Sequence, residues 1–490
     1  MRIRKALITG VVLTGVVVLA TLCNPKPTPA TPEVGESSIT PVELPSIVPG
    51  FNFPEDSNVI YSWLNNKNFP NNYDSASVYN HVWGIWAGLT AQSGQVYQGD
   101  SLRVFETWLG ITDIRTMIQN GDSACGATKT TRAQLHFPHQ AEHGGKTARL
   151  MLASKLAAGR PVNDSALFWV TVAYDPNAAC YALSNQILKM SVVDKYKVKG
   201  GIGTIPPFPQ KAITIKPTYY VGQGTDSLIQ LPIWSGPPPG GAQIPWAPTS
   251  WPTCVYVDLR NSQPAGKQVT PVSMSSKDIQ GAIVNAREFI HFRLDSAMAA
   301  YMNASQGSEG LNTAQAGQVA ILVAMHVATK EISNWTWQSF YWAPGNAVYS
   351  PSSALAQSLK PSQIKGAAAN YQATSAYAMV LPNQPINGGT NTGVIPMIGY
   401  NPYLEAEFAG VGPIGGDSSF NISSKLIPGR AVGVQTNCMS CHSLATELSL
   451  IGYSTDQYIS MNSPMFKDMI QLDFAWSIQG NLIKDIAPKK

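Results

Sequence analysis

Near the C-terminus, Asn437-Cys438-Met439-Ser440-Cys441-His442 places two thiols three positions apart, with an imidazole immediately after the second. This spacing lets two cysteines bond the two vinyl groups of one porphyrin as thioethers, while the adjacent histidine is delivered beneath the iron. The reading is one covalent haem c per chain, attached through Cys438 and Cys441, with His442 as proximal iron ligand. Three other chemistries use part of the pattern. A zinc site on C-x-x-C needs a second ligand pair at similar spacing, and Cys125, Cys180 and Cys254 stand scores of residues apart. A thioredoxin-like redox pair is expected beside a βαβ pattern, whereas this box follows the Gly-, Pro- and Ser-rich residues 410–434. A structural disulfide between the two cysteines remains open.

The box resembles the haem-attachment motif of the c-type cytochrome family, and Cys438, Cys441 and His442 alone carry that resemblance. It implies attachment on the outer side of a bacterial inner membrane, and so an exported chain. In the small cytochromes of that family the distal methionine sits in a loop before the C-terminal helix, which makes Met461 its counterpart by position. Ser463-Pro464 reads as an N-cap with proline at the first helical position. A helix is therefore expected from there toward Trp476, with Met461 in the preceding loop. Met465, a histidine such as His326, or an open position are the alternatives at the sixth site. The segment with His326, Lys330, Glu331, Trp335 and Trp337 is also similar to large uncharacterised exported bacterial proteins that end in one C-x-x-C-H box, which implies a haem protein and names no reaction.

Other chemistry-bearing residues read more plainly. His136, His139 and His143 fall within eight positions, but Pro138 and Gly144-Gly145 break helical regularity, so the cluster is expected at the surface rather than on a metal. His326 and His291 lie in apolar runs and are expected as core histidines bonded to neighbours. Cys125 and Cys180 are candidates for a disulfide, leaving Cys254 as a buried free thiol.

The elements that must position the box occupy a long chain of 490 residues. It opens with Arg2, Arg4 and Lys5, then an apolar run over residues 6–22. This is expected to be a signal peptide, with an uncleaved membrane anchor as rival; lipidation at Cys23 is the weaker option because bulky Leu22 precedes it. Residues 23–56 are proline-rich and expected as an extended linker. Residues 57–200 carry helical periodicity, clearest at 75–92, 102–119 and 148–158. Residues 201–382 read as strands, at 212–221, 227–234, 253–259 and 288–294, with a hairpin pairing 318–332 and 335–342 through Ser333-Asn334. Residues 276–303 fit helix or strand. Residues 383–490 form the haem-binding, cytochrome c-like segment. The expected fold class is α+β, with a helix-rich N-terminal region, a central antiparallel sheet or sandwich and a short helical haem segment.

Net charge is only +4, and without the three N-terminal cations basic and acidic residues nearly balance, which argues against nucleic acid as a partner. Redox proteins are the expected partners, with membrane anchoring through the N-terminal segment a further option, and the expected place is the periplasm or beyond. Three functions are compatible: an electron carrier, an oxidoreductase relaying electrons through haem to a substrate site in the large preceding region, or a surface binding protein with structural haem. No nucleophile, acid/base pair or cofactor fingerprint singles out the second.

Overall fold

The computed structural model describes residues 38–132, 167–221, 228–236, 248, 251–264, 266, 269–305, 314–344, 352–383, 395–406, 437–448 and 458–484. The leader at 1–22, the histidine cluster at 136–143, the helix expected at 148–158 and most of the 383–436 stretch lie outside them. The fold is α+β. Its centre is an eight-stranded sheet built from β1 (Leu109–Gly110), β2 (Leu167–Val170), β3 (Ala173–Tyr174), β4 (Ile213–Val221), β5 (His291–Arg293), β6 (Val319–Thr329), β7 (Thr336–Trp342) and β8 (Tyr371–Ala376). The order is β8-β7-β6-β4-β3-β1, with β5 beside β6 and β2 beside β4. Every pairing is antiparallel. Pro217, which has no N–H to donate, falls where the outer partner of β4 changes from β2 to β3.

The expected hairpin is present as β6–β7, with Thr329 opposite Thr336. Its connection is longer than Ser333-Asn334 and includes Trp335, which takes φ 61° in the turn rather than a place in the strand. All of β7 is buried, and all of β6 except His326 is nearly so. Burial on both faces explains why β6 reads as a continuous apolar run instead of an alternating one. One face is covered by α2 (Ser75–Thr90), which follows α1 (Ser57–Leu64). Trp86 stacks on Phe340 of β7 at 4.4 Å, and the indoles of Trp83 and Trp86 donate to Ala356 O at 2.6 Å and Ala368 O at 3.0 Å. The N-terminal strap crosses α2 at its glycines. A Cβ at Gly84 would overlap the Phe51 ring, and one at Gly88 would lie 2.7 Å from Pro45 O.

The segments read separately in the sequence share this sheet. β1, β2 and β3 come from the region expected to be helix-rich and join β4 and β6 of the strand-rich region, and residues 38–490 form one unit. Among the described residues there, α-helix is limited to α1, α2, α3 (Ile111–Gln119), α4 (Pro176–Ser184) and the four residues Met190–Val193. The helix expected over 102–119 is realised only as α3. Asp100–Arg103 pairs instead with Gln92–Tyr97 across Gln98-Gly99, both at positive φ, a hairpin turn that local helical spacing does not register. Residues 276–303 hold both states, with strands Ile283–Asn285 and β5 followed by α5 (Ser296–Ser305). Leu228–Pro232, Thr253–Asp258, Val272–Ser273 and Ile283–Asn285 make a second sheet. Cys125 and Cys180 are disulfide-bonded, and Cys254 is a buried free thiol.

Past the box, the long helix expected from Pro464 to Trp476 does not form. Ser463 does cap a turn, accepting from Met465 N, but Pro464–Phe466 is a single 3-10 turn. Asp468 then adopts φ 62°, and Ile470–Gln471 pairs in parallel with Gly203–Thr204. Pairing with a distant strand overrides the local helical preference.

Candidate functional site

Cys438–His442 forms a short helix, α7. Asn437 supplies its N-cap: its side-chain oxygen accepts from Ser440 N at 3.0 Å, and its amide nitrogen donates to Ala378 O at 2.6 Å and to Met397 O. One fully buried amide thereby starts the helix and ties it to the chain beyond β8. Cys438 Sγ donates to Gly399 O at 3.1 Å, and a Cβ on Gly399 would lie 3.0 Å from that sulfur and 3.3 Å from Ala376 Cβ. Gly399 is small because sheet and thiol close on it from two sides.

Strand register decides which side chains form the floor. Lys216, His326, Ser339 and Thr374 stand opposite one another across β4, β6, β7 and β8, on the face away from α2. Ala328, Trp337 and Ala376 form the next row of the same face. The Trp337 ring packs on the His442 imidazole with centroids 4.1 Å apart. His326 is bonded at both nitrogens, Nδ1 to Ser339 Oγ at 2.7 Å and Nε2 to Glu405 Oε1 at 2.6 Å. That is the neighbour-bonded histidine the sequence suggests, and in this arrangement neither nitrogen is left for iron. Glu405 ends α6 (Pro402–Glu405), whose Tyr403 packs on Trp251 at 4.9 Å. Asn401 Nδ2 donates to Ser339 Oγ at 2.7 Å, fixing α6 against the same row.

His442 is held from its other side. Its Nδ1 bonds the carbonyl of Phe474 at 2.8 Å, and Trp476 Nε1, at the start of α8 (Trp476–Gln479), donates to Cys441 O at 3.2 Å. A carbonyl only accepts, so Nδ1 carries the proton and Nε2 carries the lone pair. Nε2 has no hydrogen-bond partner among the described residues. Burial, helped by Lys216 and His326, pushes the imidazole down to about 3, so it is neutral at physiological pH. Burial also raises both thiols, with the Glu405 charge adding to it; Cys438 is well above its usual range and Cys441 is pushed up to about 12.

A redox-active C-x-x-C depends on a depressed thiol pKa, and here both are raised. The two thiols are free rather than bonded to each other. Among the described residues no group of three or more His, Cys, Asp or Glu converges as a bare metal ion requires. The neutral imidazole, with Nδ1–H given to a carbonyl, is the ligand form a metal-binding histidine takes.

Of the four residues singled out by sequence, Cys438, Cys441 and His442 share α7. Met461 lies in the turn before Pro464–Phe466, half-buried, with its carbonyl accepting from Gln471 Nε2 at 2.7 Å. Sequence reasoning gave no site role to Asn437, Trp337, Gly399, Glu405 and Phe474. Asn437 carried a legible signal, an N-cap residue directly before the helix; the others meet the box only through tertiary pairing. No helix among the described residues is long and apolar enough to cross a membrane. No family model, no curated protein and no solved structure matches the chain.

Proposed function

We propose that this chain is an exported monohaem c-type cytochrome that carries electrons between redox partner proteins. The observation that carries the reading is the His442 Nδ1–H to Phe474 carbonyl bond beside two free thiols, because it fixes the tautomer with Nε2 as metal donor. Bound there, haem supplies a one-electron ferrous/ferric couple. The chain's own residues do the rest. Cys438 and Cys441 hold the porphyrin edge, His442 presents Nε2, and the Phe474 carbonyl keeps Nδ1 protonated while strengthening the imidazole as a donor. Trp337 limits tilting of the ring, and Met461 is offered as the distal ligand. A pyridine haemochrome spectrum of protein produced with haem-maturation machinery tests the proposal. A c-type band at one haem per chain is expected; colourless protein that binds zinc instead would end it.

A second reading, an oxidoreductase relaying electrons to a substrate, draws on the His326–Glu405 pair. This acid/base couple stands on the same sheet face as the Trp337 that packs on His442. Haem-dependent turnover lost in Glu405→Gln, with haem content kept, would favour it over simple carriage.

A further inference from the structure

Asp473 and Phe474 both adopt left-handed backbone conformations, at φ 47° and 68°. A non-glycine residue held so is strained, and such a conformation persists only where the surroundings enforce it. Asp is among the residues that tolerate this region, and Phe is not. Hydrogen bonds from neighbouring elements enforce it. Asp473 Oδ1 takes Lys330 Nζ at 2.5 Å and Oδ2 takes Phe208 N at 2.8 Å. Lys330 Nζ also donates to Ser333 O at 2.7 Å and lies 5.5 Å from the Trp335 ring centroid. Both side chains are nearly buried, at 6% and 11% exposure. Burial pulls the lysine down and the carboxyl up, and each partner's charge opposes that for the other.

A buried ion pair is weak evidence for net stability, since desolvation offsets most of the attraction. Its geometric consequence here is specific. The pair pins the residue directly before the carbonyl that accepts from His442. Lys330 sits at the tip of the β6–β7 hairpin, and Trp337 of the same hairpin packs on the His442 ring. The hairpin therefore supplies both the surface under the imidazole and the anchor of its hydrogen-bond acceptor.

We infer that Lys330 and Asp473 are positioning residues for His442, holding the Phe474 carbonyl on Nδ1–H so that Nε2 stays the unprotonated donor. The inference rests on the cytochrome reading only for what Nε2 serves. The test uses the full chain in two states. In the haem-free protein, nitrogen NMR of the His442 ring reads the tautomer; in the haem-loaded protein, redox titration reads the potential. Wild type is expected as the Nδ1–H tautomer alone. Lys330→Met is expected to show both tautomers and, once the carbonyl no longer strengthens the donor, a higher potential. An about tenfold fall in the oxidised-to-reduced ratio at fixed potential corresponds to ~59 mV. Lys330→Arg is expected to restore both readings. A folded Lys330→Met with the Nδ1–H tautomer alone and an unchanged potential overturns the inference. If Lys330→Met does not fold, Asp473→Asn, which keeps an acceptor for Phe208 N–H, is read by the same two outcomes. Tautomer mixing in a chain that never attaches haem supports the positioning role and defeats the cytochrome reading. Covalent haem with tautomer and potential both unmoved does the reverse.

Discussion

Asn437 concentrates more structure than its place beside the box suggests, because one amide caps α7 and serves two buried carbonyls. Losing a cap costs about 1 kcal/mol and orphaning buried carbonyls about 1–3 kcal/mol more. Asn437→Ala should therefore lower the unfolding free energy by about 2–4 kcal/mol in urea titrations and speed alkylation of Cys438; a loss well under 1 kcal/mol would show that the cap is incidental. His442 gives a pH signature. Its folded pKa, about 3, lies below the usual 6.5, so below pH 6.5 the unfolded chain binds the extra proton first. Its stability contribution is thus complete above pH 6.5 and is lost as pH falls toward 3, at up to about 1.4 kcal/mol per pH unit. In haem-free protein this slope should appear in wild type and vanish in His442→Phe; identical pH profiles would refute the burial argument. On the proposed haem reading with Met461 as distal ligand, a near-infrared sulfur-to-iron band of ferric protein should be present, abolished by Met461→Ala and kept in Met465→Ala; its absence in wild type would end that assignment.

At the scale of elements, α2 sets two physical effects against each other. Replacing a mid-helix glycine by alanine gains about 1 kcal/mol of helix propensity, while overpacking costs about 1–3 kcal/mol. At Gly84 a Cβ would run into the Phe51 ring, so Gly84→Ala should be net destabilising, by up to about 2 kcal/mol. Denaturant midpoints decide it, and a stabilised variant would mean that the strap carrying Phe51 yields freely. The same element shows what periodicity reveals. α2 and the strands at 213–221, 228–232 and 253–258 were readable because each presents a steady apolar pattern. Asp100–Arg103 and Ile470–Gln471 were not, since their conformations follow from partners at Gln92–Tyr97 and Gly203–Thr204.

For the whole molecule, the tip of the β6–β7 hairpin is where distant parts of the chain meet. Lys330 holds Asp473 near the C-terminus, while the adjacent Glu331 takes His81 Nε2 at 3.0 Å and Glu55 N at 2.7 Å near the N-terminus. The disulfide between Cys125 and Cys180 closes a loop of 55 residues elsewhere. The chain-entropy model gives about 4 kcal/mol for a loop of that length. A Cys125→Ser/Cys180→Ser variant should therefore unfold at lower denaturant concentration; an unchanged midpoint would show that the staple adds no stability.

The sequence by itself determined that two thiols and an imidazole stand within five positions of one another, since near neighbours along the chain stay close whatever the fold. It also signalled α2 and the β6–β7 hairpin by local pattern, and it offered Cys125 and Cys180 as candidates for the disulfide that the structure shows. Only the tertiary structure decided that Phe474 accepts from His442, that Trp337 underlies it and that Glu405 stands by the thiols. Those contacts depend on strand register and on two left-handed residues at 473 and 474. A one-residue slip would turn Trp337 to the opposite face, and no local pattern in the chain encodes which partner prevents it.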